Sequence, residues 1–255
     1  MKIKIYLLAI TIFSFAELHA QQFVSKARIE YEVKSNIKKT MGNDMFDEML
    51  KENLPTFKTA YYTFSFADNK SIYKFDHWDE KEKIPSFLKR SDEENIWYTD
   101  YNAGKLNMQK NMNGTNLVVD DSIRNLQWKL TNENRIIAGF NCRKAVAIIF
   151  DSVYVFAFYT DEIVISGGPC SINGLPGMIM GVTIPRLYTS WIATKVMLEG
   201  VDVNAIKPLA GKKQFTMKNL EAFLKERTKD WYSDDSAGAA EIQQQKDRYF
   251  WTALL

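Results

Sequence analysis

Histidine is nearly missing from this 255-residue chain, which holds two, His19 and His77. A serine, histidine and acid triad would depend on one of them, and no Gly-x-Ser-x-Gly elbow presents a nucleophile. Histidine-based hydrolysis is therefore set aside. His77 stands in Asp76-His77-Trp78-Asp79, where a lone histidine amid charge reads as solvated surface before it reads as a metal ligand or general base. Excess charge of one sign is missing too. The formal net charge is +2, which gives no electrostatic reason to expect nucleic acid or an acidic membrane as partner. Beyond Phe15 no apolar run is long enough to span a bilayer, because Asp151 interrupts the richest stretch, Arg135 to Thr160. No internal repeat stands out, and the length suits one well-buried domain.

The apolar run that is present, Ile5 to Phe15, lies behind Lys2 and Lys4 and ahead of Glu17-Leu18-His19-Ala20. A positive end, a hydrophobic core too brief to span and a small residue at the cut make residues 1–20 a secretory signal. Cleavage is expected after Ala20, with Ala16 the alternative, and no cysteine stands near to carry a lipid anchor. The expected address is the periplasm. Removing the leader takes Lys2, Lys4 and Glu17 with it and leaves a net charge of +1. In an oxidising compartment the two cysteines, Cys142 and Cys170, read either as one disulfide or as two buried thiols, and geometry decides between them.

The rest of the chain is dominated by strand patterns. Ala27, Ile29, Tyr31 and Val33 alternate with Arg28, Glu30, Glu32 and Lys34, a half-buried strand with one solvated face. Asn43 to Glu52 changes period, spacing Met45, Phe46, Met49 and Leu50 along one side of a short helix that stops before Pro55. Tyr62–Phe66, the polar turn Asp68-Asn69-Lys70 and Ser71–Phe75 read as a hairpin. The charged stretch Asp76 to Glu94 is a connection with one helical turn, and a meander resumes over 96–101, 105–111 and 115–119. Strands are expected at 125–130, 135–150 and 153–160, then at 178–184 and 188–198 on either side of Pro185. Thr216 caps a helix whose Leu220, Phe223, Leu224 and Trp231 share a face. The fold class is mainly β: a single curved antiparallel sheet or partial barrel with a few peripheral helices, α+β being the fallback. The β domain is expected over residues 21–232, followed by a polar, mobile tail over 233–255.

One stretch interrupts the strands with unusual chemistry: Gly167-Gly168-Pro169-Cys170-Ser171-Ile172-Asn173-Gly174-Leu175-Pro176-Gly177-Met178-Ile179. Proline followed by glycine at the centre of Leu175–Met178 predicts a type II turn. Its apolar residues predict a loop folded back on the core. The surrounding pattern runs upstream through Trp128, Glu133, Ile136, Gly139-Phe140-Asn141-Cys142-Arg143-Lys144-Ala145, Phe158-Tyr159-Thr160 and Gly168-Pro169, and further back through Phe64-Ser65-Phe66 and Ser71-Ile72-Tyr73. With these residues the chain resembles the GLPGLI family of exported proteins from Gram-negative bacteria. It departs from the family pattern in Cys170 for an aromatic, Phe158 for tryptophan and Met178 for leucine. The resemblance implies an exported envelope protein and carries no activity with it.

The function expected is a periplasmic, non-enzymatic binding or accessory protein of the cell envelope, sheltering a lipophilic ligand or docking an outer-membrane partner. Its binding region is placed at Gly174, Leu175, Pro176, Gly177 and Met178, with Phe140, Cys142 and Cys170 beside them, the turn fixing one rim of an apolar groove. Many aromatics fall in neighbouring strands, among them Trp128, Phe156, Phe158 and Trp191, and would line such a groove or fill a core. A carboxylate-based envelope enzyme is the alternative, with Asp120 and Asp121 or Asp161 and Glu162 as acid–base pairs. A copper(I) protein is the third, drawing on Met41, Met45 and Met49, Met108 and Met112, or Met178 and Met180 with the cysteines. No catalytic residue, metal ligand or cofactor is assigned.

Overall fold

A computed structural model describes residues 24–43, 45–112, 114–209, 215–231 and 236–255. The expected leader lies outside them. Eleven strands among the described residues are β1 (Lys26–Asn36), β2 (Phe57–Ala67), β3 (Lys70–Trp78), β4 (Ile96–Asp100), β5 (Lys105–Met112), β6 (Thr115–Ser122), β7 (Lys129–Ile137), β8 (Phe140–Ile149), β9 (Val153–Thr160), β10 (Met178–Ile184) and β11 (Thr189–Met197). They form one open antiparallel sheet in the order β6-β5-β4-β3-β2-β1-β11-β10-β9-β8-β7. The mainly β expectation holds. Five short helices surround the sheet: α1 (Ile37–Thr40), α2 (Met45–Asn53), α3 (Arg90–Glu93), α4 (Met217–Arg227) and α5 (Ser236–Leu254). None of the described helices is long and apolar enough to cross a membrane.

Register follows from alternation and from turns. Ala27, Ile29, Tyr31 and Val33 are buried as their spacing predicts, and β2 sets Phe66, Phe64, Tyr62 and Ala60 directly opposite them. The β2–β3 hairpin turns on Asp68 and Asn69, at φ 51° and 57°. Two successive positive φ values match the right-handed twist of the strands they join. The same device at Ala138 and Gly139, φ 49° and 87°, corrects the sequence reading of one strand over 135–150. That stretch is the end of β7, a tight turn and β8, and the strand expected at 125–130 begins instead at Lys129. At the β6 edge, Phe215 forms a parallel bridge with Val119. Thr216 then accepts from Asn219 N at 3.2 Å as the cap of α4.

Two further expectations are corrected. The tail is not a mobile polar segment over its described length: 236–254 form α5, and Trp251, Ala253, Leu254 and Leu255 are buried in the main core. Four apolar residues at the end of a helix of good helix formers give it something to dock with, and docking stabilises a helix that propensity alone leaves marginal. Conversely, α2 forms as spaced but only Leu50 of its apolar face packs, half-buried against Ile37, Leu54 and Ile84, while Met45 is 90% exposed, Phe46 62% and Met49 55%.

Candidate functional site

Residues 161–177, between β9 and β10, lie across the inner face of the sheet. Ile163, Ile172, Leu175, Met178 and Ile179 are each 2% exposed or less. Backbone bonds within the loop tighten it, Met178 N to Ile163 O at 3.0 Å and Ile179 N to Gly167 O at 2.9 Å. Side chains also hold carbonyls of the loop and of the start of β10: Tyr31 Oη donates to Ile179 O at 2.6 Å and Trp128 Nε1 to Asn173 O at 2.9 Å, while within the loop Ser166 Oγ donates to Leu175 O at 2.6 Å. At the motif itself Gly177 N donates to Leu175 O at 2.8 Å, a turn one residue tighter than the type II turn the sequence suggests. Gly177 takes φ 144° as the motif requires, and a Cβ there would fall 2.0 Å from Thr160 O.

This geometry revises the role expected of the motif residues. Leu175 and Met178 point into the core, while Gly174 and Pro176 are exposed at the loop surface. None of the five motif residues lines the chamber or the clefts described below. Phe140 is half-buried at the start of β8, and Cys142, fully buried beside it, donates weakly to Phe140 O at 3.5 Å. Cys142 and Cys170 are both free thiols, which resolves the choice left open by the sequence in favour of two buried small hydrophobes. Burial pushes Cys142 up to about 11 and Cys170 up to about 12.

Cys170 reaches a cavity, as do two other residues singled out in the sequence, Met112 and Trp191. Cys170 occupies a turn closed by Ile172 N donating to Pro169 O at 3.2 Å, and takes φ 57°. Its side chain forms part of the wall of a chamber of about 280 Å³ under the inner face. β1 contributes Val33 and Ser35, β2 Lys58 and Tyr62, β3 Tyr73, β4 Trp97, β5 Lys110 and Met112, and β11 Trp191. Leu88, Ser91 and Asp92 close one side and Thr252 with Leu255 of the α5 end close another. Leu255 is fixed there, its carbonyl accepting from Ser171 N and from Trp97 Nε1, both at 3.1 Å. Thr40, Ser91, Asn111, Met112, Leu187 and Thr252 also line an outer cleft of about 450 Å³. They therefore mark the mouth.

The polar groups of the chamber are unevenly matched. Asp92 accepts from Lys58 Nζ at 2.5 Å and from Tyr62 Oη at 3.3 Å. Lys110, 4% exposed, holds its ammonium 4.6 Å from the centre of the Trp97 ring. Burial lowers the Lys110 pKa, opposed by the fields of Cys170 and Asp92. Tyr73 Oη is buried without a hydrogen-bond partner among the described residues, and burial holds its pKa well above the ordinary value.

The sequence reading passed over Lys110, although its signal was visible. Lys110 falls at the parity of Leu106, Met108 and Met112, the inward face of β5, and a charge on the apolar parity of a strand is the informative exception. The histidine and carboxylate candidates lie at the surface, whereas Met108, Met112, Met178 and Met180 are buried. His77 lies on β3, stacked on Tyr61 at 4.6 Å with Nδ1 2.8 Å from Asp76. Asp161 pairs with Arg143, Glu162 accepts from Asn141 N at 3.2 Å, and Asp121 accepts from Met217 N at 2.8 Å. These carboxylates serve structural bonds. Among the described residues no three His, Cys, Asp or Glu side chains cluster as a metal site. A larger cleft of about 630 Å³ between α4, α5 and Phe150 is open and lined by charged side chains such as Lys225, which pairs with Glu221 at 2.6 Å.

No family model and no curated protein matches the chain. Among solved structures, PNGF-II in two crystal forms, C2 and P21, is similar in fold. The TM-score is 0.50 for each, with 13% and 14% identity, covering 77% and 78% of this chain and 32% and 33% of the PNGF-II chain. This chain thus spans about a third of PNGF-II, and at such identity the likeness is one of fold alone.

Proposed function

We propose that this chain is a periplasmic, non-enzymatic binding or accessory protein of the cell envelope, of the GLPGLI type, and that it shelters a small ligand in the chamber beneath its inner face. The observation carrying this reading is a chamber of about 280 Å³ with a defined mouth, whose wall includes the apolar side chains of Val33, Ile37, Met112, Leu187 and Trp191. Its volume lies near the lower end of small-molecule sites, about 300 Å³ and upward. The leader-like residues 1–20 and the resemblance through Trp128–Ile179 support the exported address.

The motif loop has a structural part in this reading. It fills the space over β1 and brings Cys170 to the chamber wall, so the motif shapes the site from behind. Native mass spectrometry of the protein from periplasmic extract tests the proposal. An organic adduct is expected on the wild type and lost in Thr252→Trp, which blocks the mouth from an exposed position on α5. A clean apo mass together with no binding of any lipophilic probe overturns the sheltering role, and recovery in the cytoplasm with Met1 retained overturns the address.

A further inference from the structure

β5 places one lysine where the sheet calls for an apolar side chain. Taking an ammonium out of water is expensive unless an opposite charge meets it. The Trp97 ring offers partial compensation. Asp92 is already committed to Lys58 and Tyr62, and among the described residues no carboxylate forms an ion pair with Lys110. Lys58 and Asp92 pair with each other, which leaves Lys110 as the side-chain cation of the wall without an ion pair among the described residues. In the same wall Tyr73, 1% exposed, has a hydroxyl with nothing to bond. A lone cation and an idle donor in a largely apolar enclosure complement one anionic head on an apolar body.

We propose that the chamber is built for a small amphiphilic monocarboxylate, its carboxylate taken by Lys110 Nζ and Tyr73 Oη and its chain directed towards Met112 and Leu187 at the mouth. Met112 and Leu187 belong to both chamber and outer cleft, whereas Lys110 and Tyr73 line the chamber only. The ligand therefore enters head first. One unpaired ammonium matches one carboxylate, whereas the second charge of a dianion would enter the chamber without a side-chain partner. A carboxylate also adds to the fields that keep the Lys110 ammonium charged against its burial.

This inference rests on the chamber being a binding site, and the test separates the two. Octanoate and 1-octanol are titrated into the full chain at neutral pH and low salt, read by the fluorescence of Trp97 and Trp191. Octanoate is expected to bind at least about tenfold tighter than octanol, the scale of one charge-assisted hydrogen bond. In Lys110→Met that ratio is expected to collapse to within about threefold. Methionine suits the apolar parity, so the variant should fold, as its melting transition will show. Tyr73→Phe should reduce the ratio by a few-fold, on the order of one neutral hydrogen bond. Equal binding of acid and alcohol by the wild type, or an unchanged ratio in folded Lys110→Met, overturns the carboxylate assignment and leaves the sheltering role standing. Failure of both probes to bind overturns both.

Discussion

Gly177 is pressed against Thr160: a Cβ on the glycine would lie 2.0 Å from the threonine carbonyl oxygen and 2.8 Å from its carbonyl carbon. The obstacle is backbone at the end of β9, which cannot swing aside as a flexible side chain would. Gly177→Ala also meets the strain of φ 144°. The two effects together should destabilise the fold by about 3 kcal/mol. Chemical denaturation checks this. A loss below about 1 kcal/mol would mean that the loop relaxes freely and the motif has no packing role.

Tyr73→Phe should have the opposite sign. Its hydroxyl is buried without a hydrogen-bond partner among the described residues, so removing it relieves a desolvation cost without breaking a bond within the protein. Stability of the ligand-free protein should rise by about 1 kcal/mol. A fall of that size in ligand-free material would show that the hydroxyl has a partner after all.

The pH dependence of stability should have an alkaline limb. Cys142 and Cys170 are raised by burial from the ordinary 9.0 to about 11 and about 12, and Tyr31 and Tyr62 are raised by burial well above 10.0. The folded protein holds these protons more tightly than the unfolded chain does. Their contribution is therefore full below pH about 9 and is lost as pH climbs through 11 and 12. Urea midpoints measured from neutral pH to about 11 should fall along this range, and fall less steeply in a Cys142→Ala, Cys170→Ala double variant. The intact wild-type mass should equal the reduced mass, with alkylation by iodoacetamide appearing only on unfolding.

Phe46→Ser on α2 should change stability by less than about 0.5 kcal/mol, because its side chain has little burial to lose. A loss above about 1 kcal/mol in a monomeric sample would place the Phe46 side chain against a surface of the chain.

How much of this could be read in advance divides along physical lines. β1 was legible because one of its faces is fully buried and the other solvated, so alternation writes itself into Ala27 to Lys34. The β2–β3 turn was legible in Asp68-Asn69. The turn at Gly139 was not, since the apolar residues on both sides continue with no polar break, and Ala138 takes a positive φ that its chemistry does not announce. α2 and α5 failed in opposite directions. Spacing predicts a face for Met45 and Phe46 but does not supply a surface to cover it. For α5, the polar composition of its first half hid a helix anchored by Trp251 and Leu254 through contacts distant in sequence. The candidate site was legible only in fragments, at Cys170, Trp191 and Met112. The motif marks where the chain is most constrained, which is why it drew the functional reading. The chamber is assembled from six strands, a connection and a helix end that no local pattern links.

The sheet order has a kinetic consequence. β1 to β6 and β7 to β11 are two runs in which every strand pairs with its neighbour in sequence, and the β1–β11 pair alone joins them, setting Tyr31 opposite Ala193 and Val33 opposite Trp191. Each run can zip locally, whereas the seam must first meet the loop-closure entropy of the whole intervening chain. Val33→Ala should therefore speed unfolding with little change in the refolding rate, a stopped-flow chevron being the readout. The chamber crosses that seam, with Val33 on one side and Trp191 on the other. A ligand held there acts as a clasp: it should slow the parting of the two halves and leave their separate formation untouched.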